Sequence, residues 1–113
     1  MLARQYRLSK NFQYAYVYKK GTSVFARHLT LVYVKAGGGV RVGFSVSNKI
    51  GKAVGRNKVK RRLRAGVKKI MPHVAKGYHY IFAARIGLAD DPYVEIHNTV
   101  VYLLKKAGLF NIV

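Results

Sequence analysis

The 113 residues leave room for one modest core, yet half of them are apolar, far more than a disordered basic tail carries. Lys and Arg number 22 against 3 acids, a net charge of +19 that disfavours the isolated compact chain and favours a polyanionic partner. Cysteine is absent, which excludes a disulfide framework and a thiolate metal site; with no signal-peptide core and no apolar run near about 20 residues, the expectation is a cytoplasmic protein without a membrane partner.

Residues 1–8 read as a basic extension of a single domain spanning 1–113. Ser9 is placed to cap a short helix over Lys10 to Lys20, and Gly21 to stop it. Phe12, Tyr14, Tyr16 and Tyr18 crowd this helix, with Tyr14, Val17 and Tyr18 on one face and Phe12, Ala15 and Tyr16 towards another. A domain this small does not fully bury both faces. One is left as a stacking platform for unpaired bases, worth about 1–3 kcal/mol per base.

Thr22 to Arg27 and Leu29 to Lys35 read as strands, and Ala36-Gly37-Gly38-Gly39 as a flexible hairpin connection to a third. A Gly-rich phosphate cradle is the alternative for that connection, but no helix follows it directly. In the third strand Val40, Val42, Phe44 and Val46 alternate with Arg41, Gly43, Ser45 and Ser47. The period of two sends one set to the core. The other set is small and polar, shallow enough for an extended strand of RNA.

Lys49 to Lys69 is dense in Lys and Arg and contains no acid. At about 100° per residue, Val59, Leu63, Val67 and Ile70 fall within roughly an 80° sector, a register that a solvated tail has no reason to keep. Asn57, Lys60, Arg61, Arg64 and Lys68 gather in a second sector, while Lys58, Arg62 and Lys69 point a third way. The stretch is therefore an amphipathic helix from about Gly55 to Ile70, ended by Pro72. Like charges at i,i+3 and i,i+4 destabilise it, and a phosphate backbone relieves that repulsion through the planar fork of arginine. Asn57, read as the helix start, leaves backbone N–H groups to face an anion. A membrane surface fits less well, because no Trp or Phe lies on the other side of this helix.

Tyr78 to Arg85 is a nearly apolar strand expected at the centre of the sheet. Asp91 and Pro92 open the last helix as cap and first residue; Val94, Val101, Leu103 and Leu104 supply its apolar face, and Gly108 ends it. The resulting fold class is α+β: a single four-stranded sheet packed with helices in the order α-β-β-β-α-β-α.

The segment RVGFSVSNKIGKAVGRNKVKRRLR, Arg41 to Arg64, resembles the signature of the bacterial ribonuclease P protein subunit: a strand ending near Ser-Val-Ser, a Lys-containing glycine turn, then Arg-Asn-Lys-x-Lys-Arg-x-x-Arg. Arg7 to Val34 is similar to that family's first helix and first two strands. The resemblance implies a ribosomal protein S5 domain 2-like fold with a left-handed βαβ crossover. It also implies a catalytic RNA as partner, docked by Arg56, Asn57, Lys58, Lys60, Arg61, Arg64 and Lys68. Tyr14 and Tyr18 fall where the family places two cleft aromatics, which with Ser45 and Ser47 would take the 5′ leader of precursor tRNA. Mg2+, held mainly by the RNA, would assist hydrolysis, and no obligate protein partner is implied.

The residues themselves offer no protein catalyst. Asp90, Asp91 and Glu95 sit at the start of the last helix, where capping and the helix dipole account for them better than a metal cluster. His28, His73, His79 and His97 lack metal-ligand spacing and a recognisable orienting carboxylate. Two rivals share the charge pattern: a ribosomal or architectural RNA-binding protein without a processing role, and a self-sufficient basic ribonuclease.

Overall fold

The computed structural model describes residues 4–47 and 52–111; the Lys-containing turn at 48–51 and residues 1–3 lie outside the described residues. The elements run α1 (Asn11–Lys20), β1 (Thr22–Phe25), β2 (Leu29–Lys35), β3 (Arg41–Val46), α2 (Ala53–Ile70), β4 (Tyr78–Ala84) and α3 (Tyr93–Lys106). The strands form one sheet in the order β1-β2-β4-β3, antiparallel except for the β3–β4 pair. The predicted α+β class and element order hold. β4 takes the central place that its apolar composition led us to expect.

That placement corrects the hairpin expected at 36–39. β4 lies between β2 and β3, so the glycine segment crosses the end of β4, where Ala36 N–H donates to the Gly77 carbonyl at 2.8 Å and Gly77 N–H to the Gly39 carbonyl at 3.3 Å. Residues in register share a face of a sheet. Ser23, Val32, Ile81 and Gly43 therefore line the face covered by α1, where Val17, Leu8, Val32 and Ile81 form a small buried cluster. Leu31, Phe82 and Phe44 face the other way, into the main core with Val59, Leu63, Val67 and Ile70 of α2 and Ile96, Val100, Leu103 and Leu104 of α3. All four apolar positions predicted for α2 are buried, which at about 1.5–3 kcal/mol each more than offsets the charge repulsion along the helix.

Two capping expectations fail because another partner takes the group concerned. Ser9 does not cap α1; the Gln13 side chain instead accepts from the N–H groups of Ser9 and Lys10, both at 3.1 Å. Asp91 does not cap α3, whose cap position is Pro92; its carboxylate turns to His28, 2.9 Å away. Val94 is exposed, because Ile96, Val100, Leu103 and Leu104 define the inward stripe of α3. Gly21 ends α1 in an extended conformation; it is needed for close approach, since a Cβ would meet the Val17 and Tyr33 carbonyl oxygens and a Val32 methyl.

The amino-terminal residues from Arg4 onward lie against the outer rim of β3. A turn of 3-10 helix at Arg4–Tyr6 leads to a bridge between Arg7 and Val42, with Leu8 N–H donating to the Val42 carbonyl at 3.0 Å.

Candidate nucleic-acid interface

Two surfaces carry the residues singled out in the sequence. The first is the outer face of α2. With Val59, Leu63, Val67 and Ile70 turned inward, Asn57, Lys58, Arg61 and Lys68 are exposed and Arg56, Lys60 and Arg64 half-exposed. The helix begins at Ala53, and Arg56 N–H already donates to the Lys52 carbonyl at 3.0 Å. Asn57 is therefore in the second turn, so the free-amide argument made for it does not apply. Its side chain, together with its charged neighbours, remains on the outer face.

Arg62 belongs elsewhere. Its Nη1 donates to the carbonyls of Ala89 and Asp91, both at 3.3 Å, tying α2 to the loop between β4 and α3. Asp91 in turn holds His28. The histidine thus has an orienting carboxylate 63 residues away in sequence, a separation at which no local pattern could show it. Among the described residues no group of three or more His, Cys, Asp or Glu could hold a metal ion.

The second surface is the α1 face of the sheet. Tyr14 reaches β3: its hydroxyl accepts from Phe44 N–H at 3.2 Å and donates to the Leu8 carbonyl at 3.3 Å. Burial pushes the phenol above its ordinary pKa, the Phe44 N–H pulls it down, Tyr18 adds to the rise and Arg64 opposes it. Arg64 of α2 lines a cavity beside β3 together with Leu8, whose carbonyl accepts from the Tyr14 hydroxyl. The aromatic helix and the cationic helix lie on opposite faces of the sheet, and both border the amino-terminal segment that runs along β3.

Tyr18, Phe12 and Tyr16 are about half or more exposed, at 48%, 68% and 50%, so the freely available rings of α1 are these three, with Tyr14 tethered below them. Ser45 lies one register step beyond Gly43, in a row with Ala83, Thr30 and Phe25. The small side chains at the middle of that row make a shallow floor. Ser47 is exposed just past the end of β3. Phe25 at the far side of this row is 52% exposed and carries the Arg85 guanidinium 5.2 Å from its ring centre. The sequence reading missed both residues, although an aromatic on a short strand and a basic residue just beyond another strand were visible.

An α+β sheet with exposed aromatics beside one face and a strongly cationic helix packed on the other defines a protein of the RNA-binding class. The family model for ribonuclease P matches residues 2–108. The ribonuclease P protein component of Symbiobacterium thermophilum is 40% identical over 96% of this chain and 96% of its own length, and that of Alkaliphilus oremlandii 42% identical over 93% of each. A solved Staphylococcus aureus RNase P protein mutant with defective mRNA degradation activity superposes with a TM-score of 0.87 at 35% identity, covering 95% of this chain and 92% of that one. The chain belongs to the ribonuclease P protein family.

Proposed function

We propose that the chain acts within the ribonuclease P ribonucleoprotein as its non-catalytic protein component, in the cytoplasm. Arg56, Asn57, Lys58, Lys60, Arg61, Arg64 and Lys68 dock on the catalytic RNA, and the sheet face beside Tyr14, Tyr18, Ser45 and Ser47 takes the 5′ leader of precursor tRNA. The observation that supports this reading is that Leu8, whose carbonyl accepts from the Tyr14 hydroxyl, lines one cavity with Arg64 of α2, so the two surfaces adjoin and one RNA assembly can engage both. Lys and Arg neutralise phosphates and release counterions, so affinity comes from α2. Stacking on the exposed rings adds sequence-tolerant affinity for an unpaired leader.

Mg2+ supports the hydrolysis and, in this reading, is held by RNA. The chain's own donor set does not fit the ion: the proposed contacts include no carboxylate, Asp91 is engaged with His28, and among the described residues no group of three or more His, Cys, Asp or Glu could hold a metal. What this chain supplies is orientation and charge neutralisation, which strengthen substrate binding and reduce repulsion among the phosphates around the metal.

Precursor tRNA cleavage at limiting Mg2+, run with catalytic RNA alone, protein alone and both, tests the reading. Stimulation in the mixture, giving a mature 5′ end, is the expected result. RNA binding without stimulation favours an architectural protein. The mRNA degradation named for the Staphylococcus aureus protein favours a second reading, in which the chain itself degrades RNA; cleavage by the RNA-free protein, lost on substituting His28, would establish it.

A further inference from the structure

On the side of α3 turned away from the core, Glu95, Asn98, Thr99 and Tyr102 recur at helical spacing. With Ala26, from the connection between β1 and β2, they line a hollow of about 260 Å³. The Tyr102 ring is 52% exposed and has Lys106 Nζ 5.8 Å from its centre. The same Nζ donates to the Phe25 carbonyl at 3.4 Å, and the Phe25 ring carries Arg85. Cations and half-exposed rings therefore alternate, as Arg85, Phe25, Lys106 and Tyr102, around the β1 rim of the sheet. They lead from the row of Ser45, Ala83 and Thr30 to the face that α3 covers. The Thr99 hydroxyl donates to the Glu95 carbonyl at 2.8 Å. Among the described residues the Asn98 amide and the Glu95 carboxylate have no such partner, in a chain with 22 Lys and Arg.

We propose that this hollow is a base-binding pocket on α3, filled by an unpaired leader nucleotide beyond the stretch that crosses the sheet. The open face of Tyr102 stacks the base, a contact that any base can make. Selection comes from the edge. The Asn98 amide both donates and accepts, whereas the Glu95 carboxylate only accepts. Together they suit adenine, cytosine or guanine, each of which carries an exocyclic amine, and they disfavour uracil, which has none. Lys106 and Arg85 stand on the same rim to meet the flanking phosphates. An acidic peptide, the other polymer that a cationic surface attracts, would set its carboxylates against Glu95. The choice of the leader as source rests on the function proposed above, since the row across the sheet ends at Phe25 and delivers the strand to this rim. The preference for an amine-bearing base does not.

Fluorescence anisotropy of the full chain reads the pocket, using oligoadenylate and oligouridylate long enough to span the sheet row and the hollow. Tyr102→Ala should weaken oligoadenylate about tenfold, or 1.4 kcal/mol, and Tyr102→Phe should restore it, because the ring does the stacking. Asn98→Ala and Glu95→Gln should each lower the ratio of oligoadenylate to oligouridylate affinity about fivefold. Lys69→Gln, at the exposed end of α2, should leave that ratio unchanged. Glu95, Asn98 and Tyr102 are all exposed, so these variants keep the fold, as circular dichroism would verify. No loss in Tyr102→Ala, or a ratio unmoved by Asn98→Ala and Glu95→Gln, overturns the proposal. The source is read in the assembly with catalytic RNA, using one precursor tRNA whose leader stops at the sheet row and one whose leader continues past it. Tyr102→Ala should weaken only the second. Equal weakening of both, or of neither while oligoadenylate binding is lost, overturns the leader as the ligand. A wild-type chain that shows the base preference without stimulating precursor tRNA cleavage would sink the proposed function and leave the pocket standing.

Discussion

Tyr14 rests its ring on the bare Cα of Gly43, where a Cβ would come within 2.7 Å of Cε1, Cζ and the hydroxyl oxygen. The contact sets the height of α1 above β3 and brings the hydroxyl to Phe44 and Leu8. Gly43→Ala should force the ring off its seat and cost about 1–3 kcal/mol, as overpacking does. Urea denaturation would measure it, and a midpoint equal to wild type would show that the helix can ride higher without loss.

Tyr14→Phe separates the ring from its hydroxyl. The ring keeps its place over Gly43, while the Phe44 N–H and the Leu8 carbonyl lose a partner at a cost of about 1–3 kcal/mol. Because the freely exposed rings belong to Tyr18, Phe12 and Tyr16, leader affinity should change by less than about twofold, a difference worth roughly 0.4 kcal/mol. A large loss of leader binding in a well-folded variant would make the Tyr14 hydroxyl a direct contact.

Two adjacent arginines of α2 should behave in opposite ways. Arg62→Ala removes the donor to the Ala89 and Asp91 carbonyls and should cost about 1–2 kcal/mol of stability, with little effect on the salt slope of RNA binding. Arg61→Ala removes an exposed charge and should change stability by less than about 0.5 kcal/mol while lowering that slope by about 1. Denaturation and salt-dependent binding on the same pair decide it; equal effects on the slope would mean that Arg62 also reaches phosphate.

Acidification should weaken the fold through His79. Burial, and then the nearby Arg41 charge, hold its pKa below the ordinary 6.5, so the folded chain favours the neutral ring. Below about 6.5 the unfolded chain takes up a proton before the folded one does. The stabilisation is thus present above that value and is lost as pH falls through the lower folded pKa. His79→Gln should flatten the fall in urea midpoint between about pH 7 and 5; a fall as steep as in wild type would assign the acid sensitivity to other groups.

The parts of the fold written in short-range pattern were legible. The period of two in β3 and the stripe of Val59, Leu63, Val67 and Ile70 each answer to burial within one element. What was not legible depends on contacts between distant segments. The insertion of β4 between β2 and β3 is a parallel pairing across α2, and a strand's own alternation does not name its neighbour. Asp91 carries the local signature of a helix cap and is drawn away by His28. The candidate site divides in the same way. The cationic face of α2 could be drawn from its wheel, whereas Tyr14 and Tyr18 look equivalent there and only the sheet beneath tells the tethered ring from the exposed one. Arg7 and Arg41, unremarkable in sequence, meet because the amino-terminal segment runs beside β3.

The fastening of that segment also settles how the sheet ends. β3 is an edge strand, and an unpaired edge is a template on which another chain can add a strand. Here the Val42 carbonyl is taken by Leu8 and the Phe44 N–H by the Tyr14 hydroxyl, so the rim is closed from within the molecule. The opposite edge, β1, is four residues long and is flanked by Lys19, Lys20 and Arg27, a length and charge that discourage pairing between copies. Both rims of the sheet in a chain half apolar are thus guarded against strand addition by another copy, and one of the guards, the Tyr14 hydroxyl, belongs to the surface proposed for the leader.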